Sequence, residues 1–156
     1  MATGRCQVGL DAAIPSIAGW RLAALPRYLH AADVERILSA CDTTTVAGAR
    51  DHAILLLLSR LGLRAGDIYA LRLGDMDWKQ ATVGVLGKSR RKTQLPLPQE
   101  VGDAVLHYLK VRPAVRSDHL FLRVASPVGP FAKNSAAVSD IVERALHRAG
   151  VNASYK

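Results

Sequence analysis

The sequence predicts a mainly helical domain carrying one small antiparallel β-sheet, an α+β fold. Three observations predict it. Five segments repeat apolar residues at helical spacing, and between the third and fourth the period switches to two, over residues 76–97. The whole chain is 156 residues with 49% apolar side chains, enough to bury one sizeable core and short for two domains.

The elements follow in order. Residues 1–26 hold Gly4, Gly9, Pro15, Gly19 and Pro26 without a sustained period and read as a linker, leaving 27–156 as the folded part. Asp33–Cys41 spaces Val34, Ile37, Leu38 and Cys41 on one face, with Asp33 and Glu35 at the positive end of the helix dipole. Ala49–Leu63 is apolar on almost every side, which predicts a helix buried on most faces, broken near its end by Gly62. A second helix is expected over Ala65–Leu73, with Ile68 and Leu71 inward and Ala70 a third candidate. Then Ala81, Val83 and Val85 alternate with Thr82, Gly84 and Leu86, and Thr93, Leu95 and Leu97 form another alternating run. Pro96 has no amide hydrogen for a ladder, so that strand is an edge or stops there. Pro98 suits the start of a helix running to Val111, and Asn134–Ala149 supplies the last, facing Val138, Ile141, Val142 and Ala145 inward. His119–Val124 fits either a short strand or a loop.

Charge narrows the function classes. The chain carries 21 basic and 13 acidic residues, a net charge of +8, and the excess sits in the last two thirds, so a polyanionic partner is expected. Cys6 and Cys41 have no metal-ligand spacing, which argues against a zinc or disulfide scaffold and suits a reducing cytoplasm. The longest strictly apolar run, Ala53–Leu58, is far too short to span a bilayer.

Two constellations can carry chemistry. In GLRAGDIYALRLGDMDW, residues 62–78, Arg64 and Asp67 stand three apart on one helical face. A forked guanidinium beside free amides at a helix start suits a phosphate, and the carboxylate can hold the guanidinium; a plain surface ion pair explains the same spacing. In LGKSRRKTQLPLP, residues 86–98, Lys88, Arg90, Arg91 and Lys92 crowd the connection between two strands. Such a cluster is either a solvated turn or a basic tip set against a DNA backbone. With few apolar anchors, Lys88–Lys92 is expected to be the most mobile internal segment. A nucleotide-binding loop at Gly87-Lys88-Ser89 is excluded: Thr82 occupies the place of the required glycine, and the residues after Ser89 are strand-like.

The run RDHAILLLLSRLGLRAGDIYALRLGDMDW, followed by a GK hairpin ending in LPLP, resembles the first conserved box and hairpin of the tyrosine recombinases, the phage integrase family. The likeness extends from about Leu25 to Val151 and includes the order of motifs and the 24 residues from Arg64 to Lys88. It implies a partial tyrosine recombinase catalytic-domain fold. It further implies that Arg64 is the first catalytic arginine, Asp67 its acidic support and Lys88 the hairpin lysine, with Arg91 or Lys92 as contenders for that role. Arg90, Arg91 and Lys92 would then touch DNA. In this family a tyrosine attacks the scissile phosphodiester, arginines stabilise the phosphoryl oxygens and the lysine protonates the leaving hydroxyl, with no metal or nucleotide cofactor.

The family continues with a His-x-x-Arg box and then the nucleophilic tyrosine. His30, His52, His107, His119 and His147 each lack an arginine three residues on; His107 has Lys110 there and reads as a solvent-side pair. Tyr155 precedes where the box would stand, and Tyr28, Tyr69 and Tyr108 fit core or helix-surface positions. The resemblance therefore implies a chain that stops before its nucleophile, with residues 1–26 a remnant of an upstream DNA-clamping domain. The expected function is a DNA-binding fragment of a site-specific recombinase, inactive alone. A non-catalytic DNA-binding or regulatory module on the same fold is the alternative. The expected partner is double-stranded DNA, with no membrane and no small-molecule cofactor, and the fragment is expected to be monomeric and to expose an apolar patch.

Overall fold

A computed structural model describes residues 28–86, 92–132 and 136–151. The readings made on residues 1–26, Cys6, Lys88, Arg90, Arg91 and Tyr155 lie outside the described residues. The elements run α1 (Ala31–Ser39), α2 (Val46–Leu61), α3 (Ala65–Ala70), a 3₁₀ turn (Leu73–Asp75), β1 (Met76–Asp77), β2 (Thr82–Leu86), β3 (Lys92–Pro96), α4 (Gln99–Val111), β4 (Leu122–Arg123), β5 (Gly129–Pro130) and α5 (Ala137–Arg148).

The core forms where α2 lies on α4. Ala53, Ile54 and Leu57 of α2 and Val101, Val105 and Tyr108 of α4 are fully buried. Tyr108 stacks on Phe121 at 5.5 Å between ring centres, and its hydroxyl accepts the Leu122 amide hydrogen at 3.1 Å. That bond gives a buried phenol the partner its burial requires. Helix α2 begins three residues before the predicted Ala49, because Thr45 caps it by accepting from the Gly48 amide at 3.0 Å. It ends on Gly62, whose φ of 62° lies in the left-handed region that glycine enters without a Cβ penalty.

Helix α3 stops at Ala70, short of the predicted Leu73, because the backbone of the next residues is engaged elsewhere. The Leu71 carbonyl accepts from Leu120, Leu73 donates to Asp118, and Arg72 bridges His119. Ile68 and Leu71 point inward as expected, whereas Ala70 is exposed. The 118–123 segment is thus extended: Leu122–Arg123 pairs antiparallel with Gly129–Pro130, and Leu120, Phe121 and Leu122 are buried.

The main sheet has the order β1-β2-β3, all antiparallel, with Val83 opposite both Met76 and Leu95. The predicted hairpin is present, and β3 is an edge ending at Pro96; β1 is a third strand that periodicity did not announce. Pro98 caps α4. Helix α5 turns Val138, Ile141 and Ala145 inward, while Val142 lines an open apolar groove of about 590 Å³ shared with α1 and α2. His107 is on the solvent side, as expected, and its ring Nε2 lies 2.9 Å from the Thr43 carbonyl. Among the described residues no helix is long and apolar enough to cross a membrane.

Candidate functional site

Helix α3 is positioned from both ends. Its Ile68 is buried, its Tyr69 ring meets Phe131 edge-on at 5.9 Å, and the Tyr69 hydroxyl accepts the Val138 amide hydrogen of α5 at 3.0 Å. These contacts lock a helix of only six residues, too short to be stable by itself. Arg64 is its N-cap, with extended backbone (φ −86°, ψ 159°).

Asp67 holds Arg64, but through the backbone. Its Oδ2 accepts the Arg64 amide hydrogen at 2.8 Å, while the Arg64 carbonyl accepts from the Asp67 amide at 2.9 Å. This reciprocal pair closes the first turn. The predicted ion pair between carboxylate and guanidinium is not formed: Arg64 is exposed, and its side chain has no hydrogen bond or ion pair among the described residues. The Asp67 carboxylate thus engages the Arg64 amide and not the guanidinium.

A cavity of about 280 Å³ joins α3 to the hairpin. Asp67, Ala70 and Leu71 form one wall, Gly84, Val85 and Leu86 of β2 another, and Arg72, Asp75 and Lys92 complete it. The structure therefore brings Asp67 and Lys92 together at one opening and puts the last residue of β2 beside them. Lys88, Arg90 and Arg91 fall between the paired residues Leu86 and Lys92, outside the described residues.

The cations around this cavity differ in their commitments. Arg72 donates to Asp118, which holds that exposed carboxyl below its usual range, chiefly through the hydrogen bond. Lys92 is in β3, not in the connection, and its ammonium donates to Asp75 at 2.8 Å. Arg64, at the start of α3 and not in the cavity wall, has by contrast an uncommitted guanidinium among the described residues.

A feature that sequence reasoning missed lies at the start of α2. Arg50 and Asp51 are buried, 6% and 4% exposed, and the Arg50 Nε and Nη2 both donate to Asp51 Oδ1, at 2.8 and 2.6 Å. Arg50 also donates to the Leu122 carbonyl at 3.0 Å and lies 5.3 Å from the centre of the Phe131 ring. The available signal was two adjacent opposite charges inside a helix otherwise apolar all round.

The sequence profile of the phage integrase family matches residues 27–156. The chain belongs to that family. Among curated relatives it is 41% identical over 148 residues to the "Putative integrase/recombinase y4rA" of Sinorhizobium fredii, a match covering 94% of this chain and 36% of the relative. It is 33% identical over 104 residues to the tyrosine recombinase XerD of Listeria innocua, covering 63% of this chain and 35% of XerD. The chain thus spans about a third of the length of these relatives. Its fold is that of the XerA recombinase, with a TM-score of 0.70 at 21% identity over 85% of this chain and 47% of the other. The helical domain with a small antiparallel sheet, read from periodicity, is therefore the family's own architecture over this part of the chain.

Proposed function

We propose that this chain supplies the phosphate-gripping part of a site-specific tyrosine recombinase acting on double-stranded DNA. In this reading Arg64 and Lys88 are catalytic residues, Asp67 is the support that sets the helix start carrying Arg64, and Arg90 and Arg91 contact the DNA backbone. A structurally similar recombinase, XerH, with a TM-score of 0.67 at 20% identity over 84% of this chain and 38% of the other, is described as bound to its palindromic difH substrate. The observation that carries the reading is the single opening shared by Asp67 and the two ends of the basic hairpin, with an uncommitted Arg64 guanidinium at the start of the same helix.

The chemistry follows from electrostatics. Phosphoryl transfer concentrates negative charge on the non-bridging oxygens, and a cation already in place stabilises it without reorganisation, by about 2.7–4 kcal/mol for one well-placed donor. A planar guanidinium matches two phosphate oxygens at once, which suits Arg64 to that role. A lysine can protonate the departing hydroxyl, the task assigned to Lys88.

Binding is tested by titrating the chain against duplex DNA at several salt concentrations. With about four phosphates neutralised, log K should fall with log salt at a slope near 0.9 times that number, with little sequence preference. No binding at low salt, or binding indifferent to salt, removes the DNA reading. Catalysis is tested by joining, after Lys156, a relative's segment bearing the His-x-x-Arg box and tyrosine. A suicide DNA substrate should then yield a covalent adduct that Arg64→Ala reduces by about two to three orders of magnitude. An adduct unaffected by Arg64→Ala discards the catalytic assignment, and an adduct formed by the unjoined chain at Tyr155 overturns the order of motifs.

A further inference from the structure

We propose that Lys92 is a positioning residue and not a phosphate ligand: carried across Gly84 to Asp75, it braces the base of the basic hairpin. The proposal rests on the DNA reading above for the role of the hairpin, and on the geometry of the sheet for the brace itself.

Lys92 opens β3 and pairs with Leu86, while Gln94 pairs with Gly84. Lys92 and Gln94 share one face of the sheet, as alternate residues of a strand must. The lysine stem leans diagonally from its own rung toward Gly84, within reach for a long side chain. A Cβ built on Gly84 would stand 2.7 Å from Lys92 Cε and 3.5 Å from its Nζ. The space that any other residue's side chain would occupy is therefore the channel through which the lysine passes.

Beyond Gly84 the ammonium meets Asp75 Oδ1 at 2.8 Å. Asp75 is a fixed anchor. Its other oxygen accepts the Arg72 amide hydrogen at 2.9 Å, closing the 3₁₀ turn that leads into β1, and its side chain is only 18% exposed. One side chain thus ties β3, across β2, to the turn ahead of β1. The cavity it crosses is walled by Asp67, Asp75 and Arg72 as well as by Lys92 itself, and within it the Lys92 ammonium is spent on Asp75. For Lys92 to reach DNA it would have to abandon a mostly buried carboxylate.

The functional consequence is a division of labour among four neighbouring cations. Leu86 and Lys92 form the last rung described, and the five residues that join them include Lys88, Arg90 and Arg91. Bracing that rung fixes the two points from which the chain carrying those cations departs, beside α3.

The experiment compares Lys92→Met, Asp75→Asn, Gly84→Ala and Lys92→Arg with the unaltered chain, and uses Arg91→Ala as a phosphate-ligand control. Amide hydrogen exchange at Val85, Leu86 and Thr93 is read first. Lys92→Met, Asp75→Asn and Gly84→Ala should each speed exchange several-fold, and Lys92→Arg should restore it. Exchange left unchanged by Lys92→Met, the exposed substitution least able to disturb folding, overturns the brace. The salt dependence of DNA binding is read second. Lys92→Met should keep the slope, whereas Arg91→Ala should lower it by about 0.9. A drop of about 0.9 in Lys92→Met makes Lys92 a phosphate ligand and overturns the proposal. If the unaltered chain binds no DNA, the DNA reading falls, and the exchange measurements still decide the brace.

Discussion

Arg50, in the first turns of α2, and Arg64, at the start of α3, are used in opposite ways. Arg50 is 6% exposed, and each of its guanidinium nitrogens is spent on Asp51 or the Leu122 carbonyl. Arg64 is exposed, with a helix-capping backbone and a side chain that no described residue engages. The difference separates two meanings of a conspicuous arginine. A cation that the fold has neutralised holds the fold together, whereas one left without a counter-ion at a helix start is available to an anion from outside.

The largest effects should come from breaking that contrast at the buried arginine. Arg50→Met or Asp51→Asn alone strands a buried charge or an unmatched donor set, and urea unfolding should report a loss of about 3–5 kcal/mol. Changing both partners together should cost much less, because neither charge is left unpaired. Arg64→Ala, in the same assay, should stay within about 0.5 kcal/mol of the unaltered chain, as expected for a surface side chain without partners. A loss at Arg64 comparable to that at Arg50 would show that its guanidinium is structural and remove the contrast.

That comparison also explains what the sequence made legible. Helices α1, α4 and α5 could be read because Ile37, Val105 and Ile141 sit in apolar patterns of period 3.6, and α2 because it is apolar on almost every side. The edge position of β3 followed from one missing amide at Pro96. The early end of α3 and the strand β1 could not be read, since both depend on partners distant in sequence: Asp118 and Leu120 for residues 71–73, and Val83 for Met76. Spacing set Arg64 and Asp67 on one helical face and the family resemblance gave them their expected roles, yet neither says whether the carboxylate bonds a guanidinium or an amide. Likewise Lys92 is indistinguishable from its basic neighbours until the β2–β3 register sets it opposite Leu86 and over Gly84.

An intermediate effect is expected at Asp67, where the contrast can be sharpened. Because its carboxylate caps the backbone, Asp67→Ala should cost about 1 kcal/mol of stability, the usual contribution of one hydrogen bond at a helix start. Its effect on DNA binding should run through the orientation of α3, leaving the salt slope as in the unaltered chain. A slope that rises by about 0.9 would instead indicate that the carboxylate had been neutralising a cation, contrary to the bond seen at the Arg64 amide.

The smallest effect concerns another basic side chain on α2, His52. His52 lies two residues from Arg50, half-buried, without the matched carboxylate that lets Arg50 remain charged. Burial lowers its pKa from the ordinary value of 6.5, nearby His107 lowers it further, and Glu100 partly offsets both. The sign follows from proton counting. Above pH 6.5 the histidine is neutral in both the folded and unfolded chain and contributes nothing pH-dependent. As the pH falls below 6.5, the unfolded chain binds a proton that the folded chain refuses, so stability is lost until the lowered folded pKa is passed. Chemical denaturation at a series of pH values from 7.5 to about 5 should therefore show a decline that His52→Gln flattens, while His107→Gln diminishes it by removing the neighbouring charge. A decline unchanged in His52→Gln would assign the acid sensitivity to another group. It would also mean that α2 tolerates an unpaired charge next to the pair it buries, the opposite of what Arg50 and Asp51 imply.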